Sequence, residues 1–205
     1  MAEVQEPAQE DVEAFVLAAH GDLPTVMRLY AARPALRDAR WQKFNETALE
    51  AASHMGRREI AEYLLAAGAP PTICAAAMLG QTERVAAFLD ADPALAHAHG
   101  AHGIPVLFHA ALSGRTEIAD LLLAHSGAKG LEGAGATLHG AVRPGHMAMT
   151  AWLLDHGADA NTPNFEGKTP LRVALDGGHM ALADLLRQRG GREDIQPRIN
   201  ANERE

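Results

Sequence analysis

GKTPLRVALDGGHMALADLL, residues 167–186, is the stretch that decides the fold. Thr169 can offer its hydroxyl to the open backbone N–H groups at the start of a helix. Pro170 suits the first helical turn, where its missing N–H costs nothing. Leu171 and Ala174 then fall on one face of a short helix. Gly178 stands where that helix must turn sharply, a position that glycine tolerates best. A second apolar stretch follows and ends in Leu185-Leu186.

The same unit recurs along the chain, and recurrence at a fixed period is the signature of a repeat architecture. The anchoring glycines are Gly21, Gly56, Gly80, Gly114, Gly145 and Gly178, at spacings of 35, 24, 34, 31 and 33. The stretches before them read as short helices: EAFVLAAHG, TALEAASHMG, TICAAAMLG, VLFHAALSG, TLHGAVRPG and PLRVALDGG. The stretches after them carry apolar residues three to four apart, as in Ile60, Leu64 and Leu65, Ile118, Leu122 and Leu123, or Met149, Leu153 and Leu154. Each reads as the second helix of a pair.

The TPL of 169–171, the Gly-His pairs at 145–146 and 178–179, Leu138-His139, Thr47-Ala48-Leu49 with Gly56, and HGADAN at 156–161 together resemble the ankyrin repeat. That resemblance covers roughly residues 9–192. It implies an all-α fold, an ankyrin-repeat solenoid of stacked helix-turn-helix units with projecting hairpin loops. The expected organisation is a flexible segment over 1–8, repeats over about 9–36, 37–69, 70–92, 93–128, 129–160 and 161–192, and a flexible tail over 193–205. The polar ends of the first and sixth repeats suit capping units.

Composition agrees. The chain has 205 residues, of which 42 are alanine and 9 aromatic. A core this poor in large side chains must be made by close approach. Ala51, Ala52, Ala76, Ala77, Ala110, Ala111 and Ala174 are expected where first helices stack. One cysteine, Cys74, excludes a disulfide framework. No apolar run approaches the roughly 18 residues needed to cross a bilayer. A formal charge of −8 argues against nucleic acid, whose phosphates demand concentrated Lys and Arg. The first ten residues are acidic and polar and do not read as a secretory signal. The expected setting is the cytoplasm.

Two steps depart from the period. Between Gly56 and Gly80 nine residues are missing, and Ala69-Pro70-Pro71 leads straight into the next helix, so repeats two and three are expected to lack a hairpin finger between them. The Gly-rich stretch at 129–136 predicts an irregular finger.

The resemblance implies that fingers and first helices line a groove that binds another protein. The two variable positions before each glycine face it: His54 and Met55, Met78 and Leu79, Leu112 and Ser113, and Arg143 and Pro144 among them. Those of repeats two to four form an apolar patch that is either a partner surface or buried by the closing of repeats two and three. Trp41, Phe44 and Phe165 fall on fingers, where aromatics serve as anchors; alternatively Trp41 and Phe44 fold back as a lid.

The expected partner-binding set is therefore Trp41, Phe44, His54, Met55, Met78, Leu79, His99, His102, Leu112, Arg143 and Phe165, on a monomer that binds a protein and neither nucleic acid nor membrane. Tyr30, Tyr63, Phe88 and Trp152 read as packing residues. His97, His99 and His102 lie together, but H-x-H-x-x-H matches no structured zinc motif. No metal or cofactor is expected. His139 matches the repeat's own structural histidine. Cys74 reads as a small core residue, and no catalytic motif occurs. The competing possibility is a small-molecule- or metal-binding protein, even an enzyme, that uses His54, Met55, Met78, His109 and Arg143. Self-association through an exposed apolar face is a third.

Overall fold

The computed structural model describes residues 6–127 and 134–193. The expected tail from 194 onward, and most of the Gly-rich stretch at 129–136, lie outside the described residues. The chain divides into two compact units between Gly133 and Ala134.

In the first unit four helix pairs follow one another: α1 (Gln9–Ala19) with α2 (Leu23–Ala32), α3 (Ala48–His54) with α4 (Arg58–Ala66), α5 (Ile73–Met78) with α6 (Thr82–Ala91), and α7 (Val106–Ser113) with α8 (Thr116–His125). The first helices stack in order, α1 on α3, α3 on α5 and α5 on α7. Strands β1 (Arg40–Trp41) and β2 (Glu46–Thr47) form an antiparallel finger ahead of α3. The second unit holds α9 (Ala134–Val142) with α10 (Met147–Asp155), and α11 (Pro170–Asp176) with α12 (Met180–Gln188), α9 packing on α11.

Local chemistry sets the helix ends. Thr47 caps α3 through a reciprocal pair: its hydroxyl accepts from the Glu50 N–H at 3.3 Å, and the Glu50 carboxylate accepts from the Thr47 N–H at 2.8 Å. The Thr72 and Thr169 hydroxyls cap α5 and α11 by accepting from the Ala75 and Arg172 N–H groups, at 3.1 and 3.2 Å, without the return bond. At the exits, Gly56, Gly80, Gly145 and Gly178 take left-handed φ values of 69 to 83°. The next residue then donates its N–H back over the turn, as Arg57 does to the Ala52 carbonyl at 2.8 Å and His179 to that of Ala174 at 2.9 Å. Gly21 is the exception: its φ is not left-handed, and α1 ends on an ordinary helical turn at His20.

The alanines lie where the helices touch. All seven named above are buried, so small side chains fill the seams where first helices stack. No hairpin separates repeats two and three. After Gly68 the chain runs through Ala69-Pro70-Pro71 into Thr72 and α5. Ahead of α7 the loop 98–105 is closed by Gly100 N–H to Ile104 carbonyl and Val106 N–H to Ala98 carbonyl, both 2.8 Å.

The missing finger decides one open question. Helix α5 is a short element clasped between α3 and α7, which touch each other across it. Met78 and Leu79 are 3% and 4% exposed and belong to the core, and Leu112 is half-buried against the same cluster. These residues are a covered interior, the second of the two expected outcomes, so Met78 and Leu79 are corrected as partner-binding positions. Trp41 is corrected likewise: at 6% exposure it packs in the core with the residues of α1. An indole on a two-residue strand beside a helix gains more by burial there than by projecting into water.

Candidate functional site

Three histidines from three repeats converge on one carboxylate. Glu46 closes the finger on β2, and its side chain is only 1% exposed. His54, the last residue of α3, donates from Nε2 to Glu46 Oε1 at 2.7 Å. His102, on the loop before α7, brings its Nε2 to 3.4 Å of the same oxygen. His20, at the end of α1, brings Nε2 to 3.9 Å of Oε2. The rings meet edge to face, His20 with His54 at 5.3 Å and His54 with His102 at 5.2 Å between centroids. Among the described residues no Lys or Arg pairs with this carboxylate.

Burial alone would raise the Glu46 pKa, because an ion in a poorly hydrated place is costly. The hydrogen bond from His54 and the charges of His54, His102 and His20 outweigh it and hold the carboxyl below its ordinary value. His20 is oriented from behind. Its Nδ1 lies 2.9 Å from the Val16 carbonyl, which can only accept, so Nδ1 carries a proton and Nε2 faces the cluster. His102 takes a left-handed φ of 58° to reach in. Phe44 roofs the group, 5.9 Å from His102 and 4.7 Å from Trp41 between ring centroids. Lys43 lies over the Phe44 ring at 5.3 Å.

The loop reaches this far because the finger between repeats two and three is absent. With nothing projecting ahead of α5, the loop before α7 comes against α3 and the finger of the second repeat. A cavity of about 270 Å³ remains in the same place, lined by Glu50, Ser53, Cys74, Phe88, His99 and His109. Neither of its reactive-looking side chains is poised for chemistry. Burial, with the negative charge of Glu50, pushes the Cys74 thiol up to about 12. His109 is fully buried and bonds the Pro105 carbonyl through Nδ1 at 3.1 Å. Burial, reinforced by His54 and only partly opposed by that hydrogen bond, lowers its pKa to about 4.

The other expected site residues scatter. His97, His99 and His102 do not come together as a metal-binding tract. The His97 Nε2 binds the Ser126 carbonyl at 3.0 Å, and His99 is exposed. Met55 is half-buried beside His54. In the second unit Arg143 is exposed, its carbonyl accepting from His179 at 3.2 Å. His139 binds the Thr162 carbonyl at 2.8 Å, the structural task expected of it. Phe165 stands at the tip of a turn in which Asn164 Oδ1 accepts from the Glu166 and Lys168 N–H groups, and it is 93% exposed. Phe44 is 46% exposed.

Glu46 itself escaped the sequence reading, although the repeat register marks it. Glu46 and His54 hold the positions that Lys168 and Asp176 hold in the sixth repeat, eight apart around a capping Thr. There Lys168 Nζ pairs with Asp176 at 3.0 Å.

Comparison with known proteins agrees with this register. A family model of ankyrin repeats in many copies matches residues 138–187, and one of the single ankyrin repeat matches 44–76. The chain is similar over 55 residues, at 46% identity, to a transient receptor potential cation channel subfamily A member 1 homolog of Caenorhabditis elegans; the match covers 27% of this chain and 4% of that protein. It is 50% identical over 42 residues to potassium channel AKT3 of Oryza sativa subsp. japonica, covering 20% and 5% of the two chains. It is 35% identical over 68 residues to I-Kappa-B like protein C2 of Microplitis demolitor bracovirus, covering 33% and 38%. The chain thus spans well under half the length of these relatives.

Proposed function

Because the chain is an ankyrin-repeat protein, and such repeats generally mediate protein–protein interaction, we propose that it binds a partner protein through its fingertips, with Phe165 and Phe44 as apolar anchors. One observation carries this: Phe165 is 93% exposed on a turn that its neighbours hold rigid. An aromatic ring left in water on a preorganised loop loses little entropy on docking and gains its full burial. His102, 5.9 Å from the Phe44 ring, would form part of the polar rim around it. Net negative charge favours a partner with a basic patch. Among the described residues no helix is long and apolar enough to cross a membrane.

The test has two stages. Partners are captured on the full chain from its native cell, and each is then purified and titrated against wild-type protein, Phe165→Ala and Phe44→Ala. A central anchor costs at least about 2 kcal/mol on truncation, roughly 30-fold in Kd. Binding equal to wild type in both variants, for every captured partner, would remove the fingertip reading. Phe165→Ala should leave the thermal midpoint unchanged, since its ring is almost fully exposed among the described residues.

A further inference from the structure

We propose that His20, Glu46, His54 and His102 form a binding site for a divalent transition-metal ion, with zinc the ion that fits best. The donor atoms of His20, Glu46 and His54 all lie within 4.8 Å of one another. A tetrahedral zinc with bonds of about 2.0–2.1 Å holds its donor atoms roughly 3.3 Å apart. His54 and His102 stand 2.7 and 3.4 Å from Glu46 Oε1 and His20 stands 3.9 Å from Oε2, distances on either side of that spacing. His102, with Nε2 3.4 Å from Glu46 Oε1, stands outside that close group and would swing in from its exposed loop to give a fourth donor.

The donor set selects the class of ion. Three imidazoles and one carboxylate are too poor in oxygen for calcium or magnesium. They suit zinc, which accepts nitrogen and oxygen in a tetrahedron. The support behind the ligands is of the right kind as well. The Val16 carbonyl fixes the His20 tautomer with Nε2 free to bind, as the outer partner of a metal-bound histidine does.

Charge balance points the same way. A buried carboxylate needs a counter-charge. A divalent ion held by His20, Glu46 and His54 places that counter-charge directly against the carboxylate. It would also tie α1, the finger ahead of α3 and the loop before α7 together, so binding must raise the stability of the first unit.

This goes beyond the partner-binding role and does not depend on it. The full chain, stripped with chelator, is titrated with zinc sulfate against a chromogenic competitor, and its thermal midpoint is read with and without the ion. Wild type should take up one equivalent and melt at a higher temperature when loaded. His20→Gln and His102→Gln, both at partly exposed positions and so safe for folding, should each weaken zinc by roughly 10-fold or more. His99→Gln, on the same loop as His102 but outside the cluster, should bind as wild type does. Cobalt in place of zinc should give the intense visible absorption of a tetrahedral site. The proposal is overturned if wild type takes up no more zinc than the His20→Gln/His102→Gln double variant, or if His99→Gln loses as much affinity as His20→Gln.

Discussion

The burial of His109 should make the first unit sensitive to mild acid, and the size of the effect can be worked out. The folded pKa is about 4, against about 6.5 for an unfolded histidine. Between those values the unfolded chain binds a proton that the folded chain refuses. Stability therefore falls as pH falls through this window, and the contribution is fully present above the unfolded value. Linkage at one site gives a loss of about 2 kcal/mol between pH 7 and pH 5, and about 3 kcal/mol by pH 4. For a chain of this length 2 kcal/mol corresponds to roughly 4–8 °C in midpoint. Other groups titrate in the same range, so the measurement must be a difference. Urea unfolding followed by circular dichroism, at steps from pH 7 to 5, is run on wild type and on His109→Leu. The variant loses the hydrogen bond to Pro105, and its stability at pH 7 can fall. Its decline with acid should nevertheless be shallower than that of wild type by about the same 2 kcal/mol. Parallel declines would refute the burial argument.

Two further outcomes test the packing. Ala76→Leu puts a branched side chain where α5 is clasped between α3 and α7, and overpacking should cost about 1–3 kcal/mol; an unchanged midpoint would contradict the register assigned to the first helices. Cys74 should react slowly with a maleimide at pH 8 in the native chain and rapidly in urea, since its thiol is buried and held protonated; rapid native labelling would show the cavity wall to be open.

Much of the fold was legible because its determinants are local. A Thr cap, a glycine two residues past the helix end and a stripe of alanines each act within one or two turns. In α3, α5 and α11 they recur at matching offsets, and the structure places them as the register requires. The consequence of the deletion was legible only as two alternatives, an exposed patch or a closed one. Nine absent residues are visible in the spacing of Gly56 and Gly80, but what moves into the vacated space depends on tertiary contact. Burial of Met78 and Leu79 follows from α3 and α7 meeting over a very short α5. Burial of Trp41 follows from the indole finding the face of α1, a contact that no offset along the chain encodes.

The same deletion explains why a site exists at this point. In the sixth repeat the residue before the capping Thr and the residue two before the glycine are Lys168 and Asp176, a partly exposed ion pair. In the second repeat those positions are Glu46 and His54, with the acid now on the finger and the base on the helix. The exchange matters because of what surrounds it. A lysine on the finger would be repelled by incoming cationic groups, whereas a glutamate gathers them. With no third finger in the way, the loop before α7 brings His102 across, and the end of α1 supplies His20 from the other side. Two departures, one reversed pair and one missing finger, are each minor for the stacking of helices. Together they turn a routine surface pair into a buried carboxylate ringed by imidazoles. Of the histidine run at 97–102, only the last member has a route to Glu46.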